Sequence, residues 1–125
     1  MFNIKIKVKG YLKNLTENTE EIINTKALKN SNIISYITDN IKYKLIVDKN
    51  KVTLIRESNE YSHGMIFEEN IQHKTDYYIK ATNYSLEFNI VTTKLIIDKN
   101  KIDITYKIIE SENIYNYVLE MSENL

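Results

Sequence analysis

Apolar and polar residues alternate with a period of two along most of this chain, a rhythm that constrains it to half-buried strands rather than helices. Phe2, Ile4, Ile6 and Val8 alternate with Asn3, Lys5 and Lys7, and Tyr43, Leu45 and Val47 with Lys42, Lys44 and Ile46. The same beat returns in Leu86, Phe88 and Ile90, and in Ile102, Ile104, Tyr106 and Ile108. Polar clusters such as "NLTENTEE", "KNSN", "TDN", "ESNEYSH", "EENIQHK", "ATNYS" and "ESEN" separate the runs. Strands at intervals of roughly ten residues with turn residues between them indicate a sandwich or barrel. A helix competes only in "NTEEIINTKALKN", where the β-branched Ile22, Ile23 and Thr25 favour a strand.

One turn is written twice, as "IVDKNKVTLIR" at Ile46–Arg56 and "IIDKNKIDITY" at Ile96–Tyr106. Asp-x-Asn opens the calcium loop of helix-loop-helix proteins, but that loop also needs an oxygen ligand fifth, Gly sixth and Glu twelfth. The first copy has Val52, Thr53 and Asn59 there and the second Ile102, Asp103 and Ile109, so both are turns. In the first hairpin Val47 lies opposite Val52, Leu45 opposite Leu54 and Tyr43 opposite Arg56, all on one face, because a slip of one residue would turn the apolar set outward. The second hairpin admits two registers. Ile97 pairs with Ile102 if a bulge near Thr92–Thr93 changes the face of the strand, whereas a three-residue loop with its own bulge pairs Ile96 with Ile102. The flanks of the two copies do not match, which argues against a duplicated half-barrel.

A chain of 125 residues holds one core, giving a single β-barrel domain over 1–125. Its 17 basic and 17 acidic side chains cancel, so the excess of positive charge that phosphate backbones demand is missing, and nucleic acid is not an expected partner. The amino-terminal "MFNIKIKVKGYLKN" is charged at every second position from Lys5 to Lys9, unlike a signal peptide or membrane span, and cysteine is absent. A cytoplasmic protein with no membrane partner is the simplest reading.

Few residues suggest chemistry. Arg56, the only arginine, shares the parity of Val52 and Leu54 and therefore points inward beside Tyr43. A lone guanidinium among lysines implies a use for its planar fork, and in the interior it must meet tyrosine hydroxyls, carbonyls, a carboxylate or a ligand. His63 and His73 flank "GMIFEEN" and read as exposed loop residues. A zinc site would need Glu68 or Glu69 to join them, and no metal is expected. Ser62 and His63 are adjacent and point apart on a strand, and Gly10 and Gly64 are isolated, so there is neither a catalytic triad nor a phosphate loop. Paired carboxylates in "TEE" and "FEEN" read as hydrated turns. No catalytic residue and no cofactor is expected. Of the ten tyrosines, Tyr43 and Tyr106 fall on the inward parity, while Tyr115 and Tyr117 read as packing residues beside Leu119 and Met121.

The order of motifs resembles the YwiB-like family of bacterial proteins. Arg56-x-Ser58, "MIFEEN" at Met65–Asn70, "LEFNIVTTKL" at Leu86–Leu95 and "IDITYKI" at Ile102–Ile108 follow that family's Arg-x-Gly, Met-x-Phe-Glu-x-Gly, Leu-x-Leu-x-x-x-Thr-x-x-Leu and Ile-x-Tyr. Ser58 and Asn70 replace glycines, and "NYS" stands where a glycine is expected before Leu86. The resemblance implies a calycin-like, lipocalin-like closed barrel without an established activity.

The expectation is therefore an all-β, closed antiparallel barrel of about eight to ten strands. Its leading role is a non-enzymatic binder of a small amphipathic molecule, with Arg56, Tyr43 and Tyr106 at the polar end and Met65 and Phe67 along the apolar part. The alternative is a protein-interaction or structural module with a filled barrel. A homodimer built on the outward Ile46, Ile55 and Ile109 would be one form of it.

Overall fold

A computed structural model describes residues 3–123. Ten strands follow one another without a helix: β1 (Ile4–Asn14), β2 (Thr19–Asn30), β3 (Ile33–Thr38), β4 (Ile41–Val47), β5 (Lys51–Glu57), β6 (Tyr61–Glu68), β7 (Gln72–Ile79), β8 (Tyr84–Asp98), β9 (Lys101–Ile108) and β10 (Ile114–Glu123). Each pairs antiparallel with its neighbour in sequence, and β10 returns to β1 (Val8 opposite Met121), closing the barrel and leaving no terminal strand edge. The segment that competed as a helix is β2, held by β1 along its length. Phe2 lies outside the described residues.

Turn chemistry sets the register. The first Asp-Lys-Asn-Lys hairpin has Val47 opposite Val52, Leu45 opposite Leu54 and Tyr43 opposite Arg56, as the alternation requires. The second pairs Ile97 with Ile102 and Leu95 with Ile104, and a shift between Thr92 and Lys94 takes up the odd residue. That bulge at Thr93 lets Ile90 on one side and Ile97 on the other both face inward, and it decides between the two registers left open by sequence. Neither copy contains a residue at positive φ; the left-handed pair is Asp39 (φ 53) and Asn40 (φ 64), between the paired Thr38 and Ile41. Two consecutive left-handed residues are what a tight two-residue hairpin needs to match strand twist. Asn70 (φ 62) and Asn83 (φ 53) are also left-handed, at or beside the places where the resembled family carries glycine. Ser58 is not; its hydroxyl accepts from the N–H groups of Glu60 and Tyr61 and shapes the β5–β6 turn through its side chain.

The interior divides by height. Phe67, Leu45, Ile90, Ile102, Ile104, Leu119, Val8 and Val52 are sealed from solvent and fill the middle and the end near the Asp-Lys-Asn-Lys turns. The opposite end, where the β1–β2, β3–β4, β5–β6, β7–β8 and β9–β10 turns gather, carries larger polar and aromatic residues and stays open. The barrel is thus packed through its middle, with a recess of about 250 Å³ beside the Asp-Lys-Asn-Lys turns and a larger one of about 360 Å³ at the opposite end.

Candidate functional site

Five consecutive pairings build an inner rung around half the open end: Tyr36 opposite Tyr43, Tyr43 opposite Arg56, Arg56 opposite His63, His63 opposite Tyr77 and Tyr77 opposite Leu86. All these side chains share the inward parity. They form one continuous row because the β3–β8 registers carry no insertion there, and strand tilt carries the row from the buried Tyr36 up to the exposed Leu86 at the rim, so the Arg56 site follows from the hairpin geometry.

His63 is buried (4% exposed) in β6, not in an exposed loop as its polar neighbours suggested. Thr75 Oγ1 donates to the carbonyl of Gly64, which leaves it to accept at 2.9 Å from His63 Nε2–H. Nδ1 is then the bare nitrogen, and it accepts at 2.8 Å from Arg56 Nη2. Burial first, and the Arg56 charge second, push the His63 imidazole down to about 4. The ring is neutral at ordinary pH and works as an acceptor that orients the guanidinium. His73 is half-buried in β7 and bonds Glu68 at 3.0 Å instead. The two histidines do not converge, and no group of three metal-ligating side chains forms among the described residues.

Arg56 itself is under-partnered. Its Nε–H is buried with no acceptor, and among the described residues no carboxylate lies within ion-pair distance of it. The nearby phenols do not supply the missing negative charge. Burial raises the pKa of Tyr36, Tyr106 and Tyr117, and burial followed by the Glu21 charge raises that of Tyr43, so all stay protonated. Tyr36 and Tyr117 satisfy each other, hydroxyl to hydroxyl. A half-buried cation without a counter-ion is costly, by roughly several kcal/mol when fully desolvated.

The guanidinium borders a cavity of about 360 Å³ in the barrel mouth. Met65, Phe88, Tyr106 and Ile108 form much of its wall, with Leu12, Tyr77 and Tyr115 toward the opening. Its rings are held by one another: Tyr106 stacks on Tyr115 at 5.2 Å, Tyr77 on Tyr61 at 4.8 Å, and His63 leans on Phe88 at 5.4 Å. Such a surface accepts a flat or flexible apolar body, and the arginine beside it accepts an anion.

Of the five residues expected at the site, Arg56, Met65 and Tyr106 line this cavity. Tyr43 does not: it is turned to stack on Tyr36 at 4.7 Å and borders an outer groove instead. Phe67 is fully buried and packs on Tyr106 at 4.8 Å, one layer below the cavity. Tyr115 lines the cavity rather than merely packing, whereas Tyr117 packs as expected. The carboxylates of Glu20, Glu21 and Glu68 belong to strands β2 and β6 rather than to turns. Sequence reasoning missed His63 and Thr75; extending the Met65 and Phe67 parity back by two residues reaches His63.

These features define a class: a closed ten-stranded antiparallel barrel with one arginine set in an aromatic cavity at its open end. Among solved structures the chain is similar to the crystal structure of YwiB protein from Bacillus subtilis, with a TM-score of 0.66 over 98% of this chain and 92% of that one, at 18% identity. The likeness establishes a YwiB-like fold. No protein-family model matches the sequence, and no curated protein matches it.

Proposed function

We propose that the protein is a non-enzymatic binding module that holds a small amphipathic anion in the barrel mouth. Arg56 receives the charged end, and Met65, Phe88, Tyr106 and Ile108 surround the apolar body, in a calycin-like or lipocalin-like manner and in a cytoplasmic setting. One observation carries this reading: a guanidinium with a buried, unpartnered Nε–H and no carboxylate among the described residues faces a cavity of about 360 Å³ walled by aromatic and aliphatic side chains. A structural arginine would have its charge answered within the fold. A ligand carboxylate would answer it with charge-assisted hydrogen bonds. His63 fixes the fork through Nδ1 and also lines the cavity beside Phe88, so it orients Arg56 and borders the apolar body at once.

Native mass spectrometry of gently purified protein tests the proposal. The expected result is an added mass from an organic acid that is lost in Arg56→Met. Protein that is reproducibly free of any compound, and that takes up neither decanoate nor naphthoate when they are added, contradicts it.

A further inference from the structure

On the outside of the barrel the registers line up a second row: Lys5 beside Leu28, Leu28 beside Ser35, Ser35 beside Lys44 and Lys44 beside Ile55. Directly above it stand Lys26, Ile37 and Lys42. Together they enclose a groove of about 620 Å³. Its floor is apolar and wet, with Ile37 58% exposed and Leu28 42% exposed. Its rim is cationic through Lys5, Lys26, Lys42 and Lys44, and its one acid, Glu57, is already paired with Lys80 at 3.2 Å. The groove lies at a fork, because β2 pairs with β3 only from Ala27 to Asn30, which leaves Thr19–Lys26 unpaired on that side.

The complement of this groove lies on the same chain. The β1–β2 and β9–β10 turns are tied into one tip: Leu15 N–H donates to Ile114 O at 2.7 Å, and Ile114 N–H donates to Thr16 Oγ1 at 2.9 Å. The tip exposes Leu15 (53%), Ile109 (39%) and Ile114 (38%), with the carboxylates of Glu17, Glu110 and Glu112 around them. Two cations stand beside it: Lys13, engaged by Glu20 at 3.7 Å, and Lys107, opposite Ile114 on β9. The three carboxylates therefore outnumber the one lysine without a carboxylate partner among the described residues. The side chain of Glu110 is fixed by the backbone N–H and Nδ2 of Asn89, both at 2.8 Å, so the tip is preformed.

We infer that the groove on β2–β5 receives the acidic, apolar tip of a second copy of this chain. Charge complementarity favours that occupant: a basic groove and an acidic tip coexist in a molecule whose formal charge is zero. A tip at the barrel end does not reach the flank of its own barrel, so the match is satisfied only between copies. Reciprocal insertion gives two equal contacts about a two-fold axis. The inference is independent of the ligand cavity.

Sedimentation equilibrium across protein concentration, with charge-reversal variants, is the test. The wild type should approach twice the 14.8 kDa chain mass as concentration rises, and dissociate as salt is added. Lys26→Glu with Lys44→Glu, and separately Glu17→Lys with Glu112→Lys, should each remain monomeric. An equimolar mixture of the two variants should associate again, since each acidic groove then meets a basic tip; such restoration reports on folded chains only. A wild type that is monomeric at every concentration overturns the inference and leaves the groove to a different partner. Association indifferent to salt and to both reversals, or a mixture of folded variants that stays apart, overturns it as well.

Discussion

At the scale of single residues the molecule turns on Arg56 and His63. Burial and the adjacent guanidinium hold the imidazole at about 4, whereas an unfolded chain would titrate it near 6.5. Between those values the unfolded chain binds the extra proton, so the contribution of His63 to stability is complete above about pH 6.5 and is lost as pH falls through about 4. The gap corresponds to about 3 kcal/mol, which chemical denaturation at a series of pH values checks. NMR titration of His63 should give a midpoint near 4 in the wild type and a higher one, still below 6.5, in Arg56→Met, where the charge is gone and burial remains. A midpoint unmoved by Arg56→Met would deny the contact between the two. The inward direction of Arg56 was legible because Val52 and Leu54, earlier on β5, fix its parity. The parity of Met65 and Phe67 reaches His63, but its burial was hidden because Ser62, His63 and Gly64 have the composition of a turn and only Thr75, distant in sequence, explains how an imidazole is buried there.

Among the elements, two glycines that look alike in sequence differ in consequence. A Cβ on Gly10 would lie 1.8 Å from the carbonyl oxygen of Val118 on β10, so Gly10→Ala must push apart the pairing that closes the barrel. A Cβ on Gly64 would meet nothing within 4 Å. Thermal melts should show Gly10→Ala destabilised by at least about 2 kcal/mol and Gly64→Ala within about 0.5 kcal/mol of the wild type. The bulge gives a second contrast. Deleting Thr93 removes the odd residue and leaves Ile90 and Ile97 six positions apart, on one face of a regular strand, so a cooperative melt should survive. Deleting Thr105 from the regular β9 instead sets Ile104 and Tyr106 on opposite faces and should abolish it. The first hairpin was readable since Tyr43, Leu45 and Val47 before the turn and Val52 and Leu54 after it agree on one register, with Ile46 and Ile55 the exceptions on the outer face. The second was not, because Ile96 and Ile97 are both apolar and the choice between them rests on where the strand changes face.

The whole molecule is a closed meander packed through its middle with aliphatic side chains and Phe67, with an aromatic mouth at one end around an arginine that pairs with no carboxylate among the described residues. Strand number and antiparallel order were legible from the spacing of turns. The closure of β10 on β1 was expected through the resemblance rather than through any local pattern, and the space left at the barrel's ends was not legible, since it depends on summed side-chain volume. Tyr43 shows the cost, as parity placed it inward correctly while its stacking on Tyr36 removed it from the cavity. Because Arg56 is the only arginine, its Nε–H gives a single resonance in the arginine side-chain region of a ¹H–¹⁵N spectrum. Titrating the protein with decanoate or naphthoate while watching that signal is the direct measurement. A saturable shift with the acid, and none with the corresponding alcohol, is what an anion-receiving mouth predicts; a resonance that stays in place with every acid contradicts it.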